Sequence, residues 1–190
     1  MSSIILMGIK HCGKSTQANL IASYLGSDYH VYDTDDLITE LMGKTPRQIY
    51  SEQGKDAFLQ AELKACEYLK NLPESKNAVV ATGGGICNNV SAVQILRSIG
   101  TLVFLDADEK IAADRIVREV HTDSHGNLKN LPAYIAKENP CSEEEVREIF
   151  HNFYIERKKI YSELCDITVQ MKAVSKQENT KSILATLGKL

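Results

Sequence analysis

Short apolar runs alternate with longer stretches that carry apolar residues at every third or fourth position, from one end of the chain to the other. Runs of three to five residues suit strands buried on both faces, and the longer stretches suit amphipathic helices. The runs lie at Ile4–Met7, His30–Asp33, Ala78–Ala81, Thr101–Leu105 and Ile167–Val169. A helix is predicted over Thr16–Leu25, where Ala18, Ile21, Ala22 and Leu25 share a face and Gly26 follows at the C′ position. A second passes through Leu37, Ile38, Leu41 and Met42 and stops at Gly43. Thr45 to Gln48 then reads as a capping box with Pro46 at the first helical position. That short helix runs to Gly54, and a longer one carries Phe58, Leu63, Cys66 and Leu69 until Pro73 ends it. Further helices are predicted near Val90–Ser98, over Glu109–Val120, from a capping box at Ser142 and Glu145 to Tyr161, and over Gln177–Leu187. Strand and helix in alternation make an α/β fold, a parallel sheet covered on both faces.

His121 to Cys141 breaks the pattern. It is polar, shows little periodicity, and contains Gly126, Asn127, Asn130, Pro132, Asn139 and Pro140. A long polar insertion late in such a domain is where a mobile lid sits, and a plain surface loop is the alternative.

Composition narrows the function classes. A chain of 190 residues with 43% hydrophobic and 25% charged residues suits a single globular domain, 1–190. A net charge of −3 and the lack of a basic arm argue against nucleic acid as the main partner. The apolar runs are far shorter than the ~20 residues needed to cross a bilayer, so no membrane association is expected. Met1-Ser2-Ser3 lacks the basic start of a signal peptide. Cys12, Cys66, Cys87, Cys141 and Cys165 are scattered, odd in number and free of any C-x-x-C, which points to a reducing compartment rather than disulfides or zinc. His30, His121, His125 and His151 show no metal-ligand spacing. A cytoplasmic protein, monomeric or weakly oligomeric, is expected.

The chemistry enters with Gly8-Ile9-Lys10-His11-Cys12-Gly13-Lys14-Ser15, which fits G-x-x-x-x-G-K-[ST] between a predicted strand and a predicted helix. Such a loop turns backbone N–H groups toward a polyphosphate, the helix N-terminus adds favourable partial charge, Lys14 adds a full one, and the Ser15 hydroxyl can ligate magnesium. Gly8, His11, Cys12, Gly13, Lys14, Ser15 and Thr16 are therefore candidate nucleotide-binding positions. Cys12 lies near Lys14 and a helix N-terminus, a setting that favours thiolate; a loop position tolerant of any side chain is the other reading. The chain lacks both the apolar strand ending in Asp-Glu of motors and transporters and the N-K-x-D element of GTPases. Instead Asp33-Thr34-Asp35 follows the second strand and Gly83-Gly84-Gly85 the third, both at carboxyl ends, where open α/β sheets bind ligands. If the strand continues, Asp33 and Asp35 point the same way. One can then serve a magnesium shell while the other takes the proton of an attacking hydroxyl; capping of the following helix is the alternative role.

In order and spacing, five features together resemble the shikimate kinase family across roughly residues 4 to 170. They are the phosphate loop, the D-x-D, Gly43-x-x-Pro46-x-x-Ile49 leading to Gly54-x-x-x-Phe58-x-x-x-Glu62, the T-G-G-G of Thr82–Gly85, and Arg157-x-x-x-Tyr161-x-x-x-x-Asp166. The resemblance implies a three-layer P-loop fold with a five-stranded parallel sheet in the order 2-3-1-4-5. It implies a lid at about 121–141 and a substrate-binding helical segment at about 34–72. It also implies ATP-dependent, Mg2+-assisted phosphorylation of shikimate to shikimate 3-phosphate. Asp33 and Ser15 then stand on the metal side, Asp35 at the acceptor hydroxyl with Lys14 as its catalytic partner, and Gly83, Gly84, Gly85 and Arg157 around the acceptor.

Two positions depart from the family pattern. Leu59 stands where F-R-x-x-E places an arginine for the acceptor carboxylate, and Leu131 where R-P-L-L places one for the phosphates. Arg118 is the candidate replacement at the nucleotide, with Lys129 and Arg147 as others. The departures keep two further readings open: a kinase of another hydroxylated metabolite such as a gluconate-like sugar acid or a polyol, and a nucleotide-dependent regulatory module.

Overall fold

The computed structural model describes residues 3–124 and 126–190; Met1, Ser2 and His125, which figured in the readings of the chain start and of the isolated histidines, lie outside the described residues. Strands β1 (Ser3–Met7), β2 (His30–Asp33), β3 (Ala78–Ala81) and β4 (Gly100–Asp106) form a wholly parallel sheet with a fifth strand, Ile167–Gln170. The order is β2-β3-β1-β4 and then that last strand, which is β7 once a small hairpin, β5 (His121–Thr122) and β6 (Leu128–Lys129), is numbered before it. The expected order 2-3-1-4-5 is the order found, with only the strand count changed. Every residue of β1 and β3 is buried, as a central strand covered on both faces requires.

Helices α1 (Lys14–Leu25), α2 (Thr34–Met42), α3 (Pro46–Asn71), α4 (Val90–Ile99) and α5 (Glu109–Glu119) alternate with the first four strands. A one-turn helix α6 (Ala133–Ala136), the long α7 (Glu143–Leu164) and α8 (Lys176–Thr186) complete the chain. The two helices expected on either side of Gly54 are found: α3 is interrupted there by a non-helical backbone at φ 86° and ψ −178°. Thr45 and Gln48 make the reciprocal capping box that opens it. Ser142 caps α7 at the Glu145 N–H, but among the described bonds the Glu145 carboxylate accepts from Cys141 N rather than returning to the cap. Helix α1 begins at Lys14, two residues before the predicted start at Thr16, because Gly13 at φ 101° turns the chain straight from the loop into the helix.

The segment 121–141 differs from a structureless insertion. Its strands are two residues each and its helix is one turn, too short for any periodicity to register. Leu131 and Ile135 join the main apolar core, and the Tyr134 ring stacks on Phe153 of α7 at 3.7 Å between centroids. The Lys137 ammonium reaches the Tyr50 hydroxyl of α3 at 2.9 Å, so the segment spans from α7 to α3.

Candidate active site

Carboxyl ends of β1, β2 and β3 carry the loops expected to hold chemistry, and the hydrogen bonds show how they meet. Helix α1 has no side-chain cap at Gly13, so its first-turn N–H groups, those of Lys14, Ser15 and Thr16, have no intrahelical acceptor. Lys14 is only 8% exposed, and its ammonium donates to Gly8 O at 3.0 Å and Ile9 O at 2.8 Å, folding the loop around itself. The Cys12 thiol is buried in the same turn, 3.7 Å from the Lys14 ammonium. His11 holds a left-handed φ of 65°. Its Nε2 lies 3.4 Å from Glu119 Oε2 without hydrogen-bond geometry. Burial, with Lys10, Lys14 and Arg115 nearby, pushes its pKa below the ordinary imidazole range, so at neutral pH this contact is not an ion pair.

Asp33 holds two partners at once. Its Oδ2 accepts from Ser15 Oγ at 2.7 Å, and its Oδ1 accepts from Asp35 N at 3.0 Å. The second bond makes it the N-cap of α2, the capping role read from the sequence. The premise of a strand continuing to Asp35 is corrected here: β2 stops at Asp33 because that cap starts the helix, and Asp35 sits in the first helical turn. Burial first, and then the charge of Asp33, raises the Asp35 pKa above the usual carboxylate range, which makes its anion the stronger base.

The triple glycine closes on these groups. A Cβ at Gly83 would lie 2.8 Å from Asp35 Oδ1 and 3.5 Å from Glu62 Oε1, and one at Gly84 would lie 2.9 Å from Lys10 N. Only glycine lets this loop approach both the carboxylate and the phosphate loop so closely. Gly85, by contrast, has open space where a Cβ would stand. Thr34 Oγ1 accepts from Gly83 N at 2.9 Å and Tyr161 donates to Gly84 O at 2.9 Å, fixing the turn from two sides.

Arg157, in α7, donates to Cys87 Sγ at 2.8 Å and Asn88 Oδ1 at 2.6 Å, just beyond the glycines. Its guanidinium lies over the Phe153 ring at 4.9 Å, and its Nε and the Tyr134 hydroxyl are buried donors without partners. Of the candidate replacement cations, Lys129 pairs with Asp123 at 3.1 Å and Arg147 with Asp114 at 2.7 Å. Arg118 is exposed, whereas Arg115, on the same helix, donates to His11 O.

Glu62 was quoted in a motif but given no task by the sequence. It is fully buried, its Oε2 accepts from Asn89 Nδ2 at 3.1 Å, and its Oε1 has no partner. Burial pushes its carboxyl up to about 7, opposed by the Asn89 bond and supported by Asp35. A carboxyl raised on folding stabilises the protein fully below its ordinary value of 4.5, and that contribution is lost as pH rises toward about 7. The loss is about 3 kcal/mol. Urea denaturation at about pH 5 and pH 8 checks this. The wild type is expected to lose stability between the two, and Glu62→Gln to lose much less.

A family model described as "Shikimate kinase" matches residues 10–188. The chain belongs to the shikimate kinase family. It is 30% identical over 188 residues to shikimate kinase of Bacillus cytotoxicus, covering 99% of each chain. It is 33% identical over 184 residues to that of Aquifex aeolicus, covering 97% of this chain and 95% of the relative. The crystal structure of the Aquifex aeolicus shikimate kinase superposes with a TM-score of 0.71 at 30% identity over 98% of this chain and 96% of that one. Shikimate kinase from Acinetobacter baumannii in complex with shikimate shares the fold, with a TM-score of 0.77 at 24% identity over 98% of this chain and 93% of that one. As a shikimate kinase family member the chain is a small-molecule kinase. Neither a sugar-acid or polyol kinase nor a regulatory module finds support in these likenesses.

Proposed function

We propose that the protein transfers the γ-phosphoryl group of ATP, with Mg2+, to a hydroxyl of shikimate, giving shikimate 3-phosphate. One observation carries the reading: the Asp35 carboxylate lies between the phosphate loop and the Gly83–Gly84 turn, beside the Ser15–Asp33 pair. Family membership and the shikimate bound in the Acinetobacter baumannii neighbour support shikimate as the acceptor.

Residue roles follow from placement. The loop N–H groups and Lys14 hold the phosphates, with His11, Cys12, Gly13 and Thr16 shaping that cradle. Ser15 Oγ and Asp33 Oδ2, 2.7 Å apart, offer two hard oxygen donors, and no group of three or more His, Cys, Asp or Glu converges among the described residues. That set fits a magnesium ion held mainly by phosphate and water. When bound, the ion supplies charge neutralisation at the phosphates. Asp35 accepts the proton of the attacking hydroxyl. Gly83 to Gly85 meet the acceptor through backbone groups, and Arg157, whose Nε is a free donor, takes its carboxylate. Arg118 reaches the phosphates when the segment 121–141 closes as a lid.

The test is ADP release from MgATP with and without shikimate, and with gluconate as a control acceptor. Shikimate-dependent turnover of at least about 1 s⁻¹ is expected, with none from gluconate. ATP binding without shikimate-dependent release would overturn the reading.

A further inference from the structure

Two buried donors at the acceptor end of the site have no acceptor in the protein: Arg157 Nε and the Tyr134 hydroxyl. Both side chains rest on one ring, Phe153 of α7. The Tyr134 ring stacks on it at 3.7 Å between centroids and 12° between planes, and the Arg157 guanidinium meets it at 4.9 Å. Arg157 spends Nη1 on Cys87 Sγ and Asn88 Oδ1, which fixes the plane of its fork and leaves the Nε edge. Tyr134 is held from its own side by the stack and by its neighbour Ile135, which is fully buried in the core. Leaving a buried donor unpaired is costly, and two such donors against one ring are satisfied together by a single carboxylate.

Tyr134 closes the quartet Leu131-Pro132-Ala133-Tyr134, at the place where R-P-L-L ends in leucine. A leucine there has no donor. The chain thus lacks a donor for the carboxylate at Leu59 and has one at Tyr134, and both positions stand near Arg157. Asn88 accepts from Arg157, and the next residue, Asn89, donates to Leu59 O at 2.8 Å. We infer that Tyr134 is a specificity-determining residue that binds the acceptor: its hydroxyl and Arg157 Nε together hold the acceptor carboxylate, and the tyrosine supplies the donor that Leu59 lacks. The inference rests on the acceptor reading above. Asp35 meets the first glycine of the turn and Arg157 the residues that follow the last, so a carboxylate at Arg157 leaves the attacking hydroxyl to Asp35 at the other end. Burial, opposed by the Arg157 charge, keeps the Tyr134 phenol well above its ordinary value, so it stays a neutral donor across the assay range. An acceptor with a neutral group in place of the carboxylate leaves both donors poorly met, which makes the pair a filter for anions.

The test is steady-state kinetics with MgATP and shikimate on the wild type and Tyr134→Phe, which keeps the ring that stacks on Phe153 and removes only the hydroxyl. The KM for shikimate is expected to rise roughly 10- to 100-fold, the range set by a hydrogen bond to a charged group, with kcat and the KM for ATP within about threefold. A shikimate analogue with a hydroxymethyl group in place of the carboxylate is the second probe. Its inhibition constant against shikimate turnover is expected to agree within about threefold between the two proteins, because it brings no charge to the hydroxyl. The melting temperature of Tyr134→Phe should not fall, since the hydroxyl has no partner in the free protein. A shikimate KM within about threefold of the wild type would overturn the inference and leave the function standing. So would an analogue that weakens in step with shikimate, which makes Tyr134 a packing residue. No turnover of shikimate by the wild type would overturn both.

Discussion

Replacing Asp35 by Asn is expected to lower kcat with shikimate by roughly 10²- to 10⁴-fold, the span over which a positioned proton acceptor contributes. The substitution keeps the shape of the side chain, which matters because Asp35 Oδ1 would lie only 2.8 Å from a Cβ at Gly83. The amide cannot take the proton, yet the backbone N–H that Asp33 accepts is untouched, so the cap of α2 and the Ser15–Asp33 pair persist. ATP affinity, measured by calorimetry, should therefore stay within about threefold, an effect of well under 1 kcal/mol. Stability should not fall, since the change removes a negative charge held near Asp33 and Glu62. A kcat within tenfold of the wild type would mean that Asp35 is not the base.

Most of the sheet was legible because buried parallel strands are continuous apolar runs, and Ile4–Met7 and Ala78–Ala81 have no polar residue to blur them. The phosphate loop was legible because its geometry demands glycine and lysine at fixed offsets. What escaped are contacts between elements distant in sequence. Thr34 and Tyr161 pin the glycine turn across separations of 49 and 77 residues, and no local pattern announces them. The contact of Arg115 had no local signal either: Arg115 and Arg118 are both exposed on α5, and only the packing of that helix brings Arg115 to His11 O.

Glu62 was within reach. The helical spacing of Phe58, Glu62, Cys66 and Leu69 sets a carboxylate on the buried stripe of α3, and a charge on an apolar stripe asks for a partner. The anchoring of the segment 121–141 was not legible for a different reason. Its apolar anchors Leu131 and Ile135 are only two residues among many polar ones, and their burial depends on α7, which comes later in the chain.

Lys14→Met is the complementary case, a loss at the nucleotide rather than at the acceptor. Methionine keeps the unbranched stem and removes the charge and all three donors. Turnover is expected to fall by roughly 10²- to 10³-fold or more, as when a preorganised donor to developing charge is removed. Unlike Asp35→Asn, this variant should also lose most of its ATP affinity, because the same ammonium serves bound and reacting phosphate alike. The free protein should loosen as well. Gly8 O and Ile9 O lose their donor, which costs about 1–3 kcal/mol for buried groups left unpaired. Lys14→Arg is not expected to rescue either property: the side chain is 8% exposed inside its own loop, and a planar guanidinium lacks the room that the compact ammonium has. Thermal shifts with and without MgATP separate the two effects. A lower melting temperature alone, with the full shift on adding nucleotide, would make Lys14 a brace of the loop and not a ligand of the phosphates.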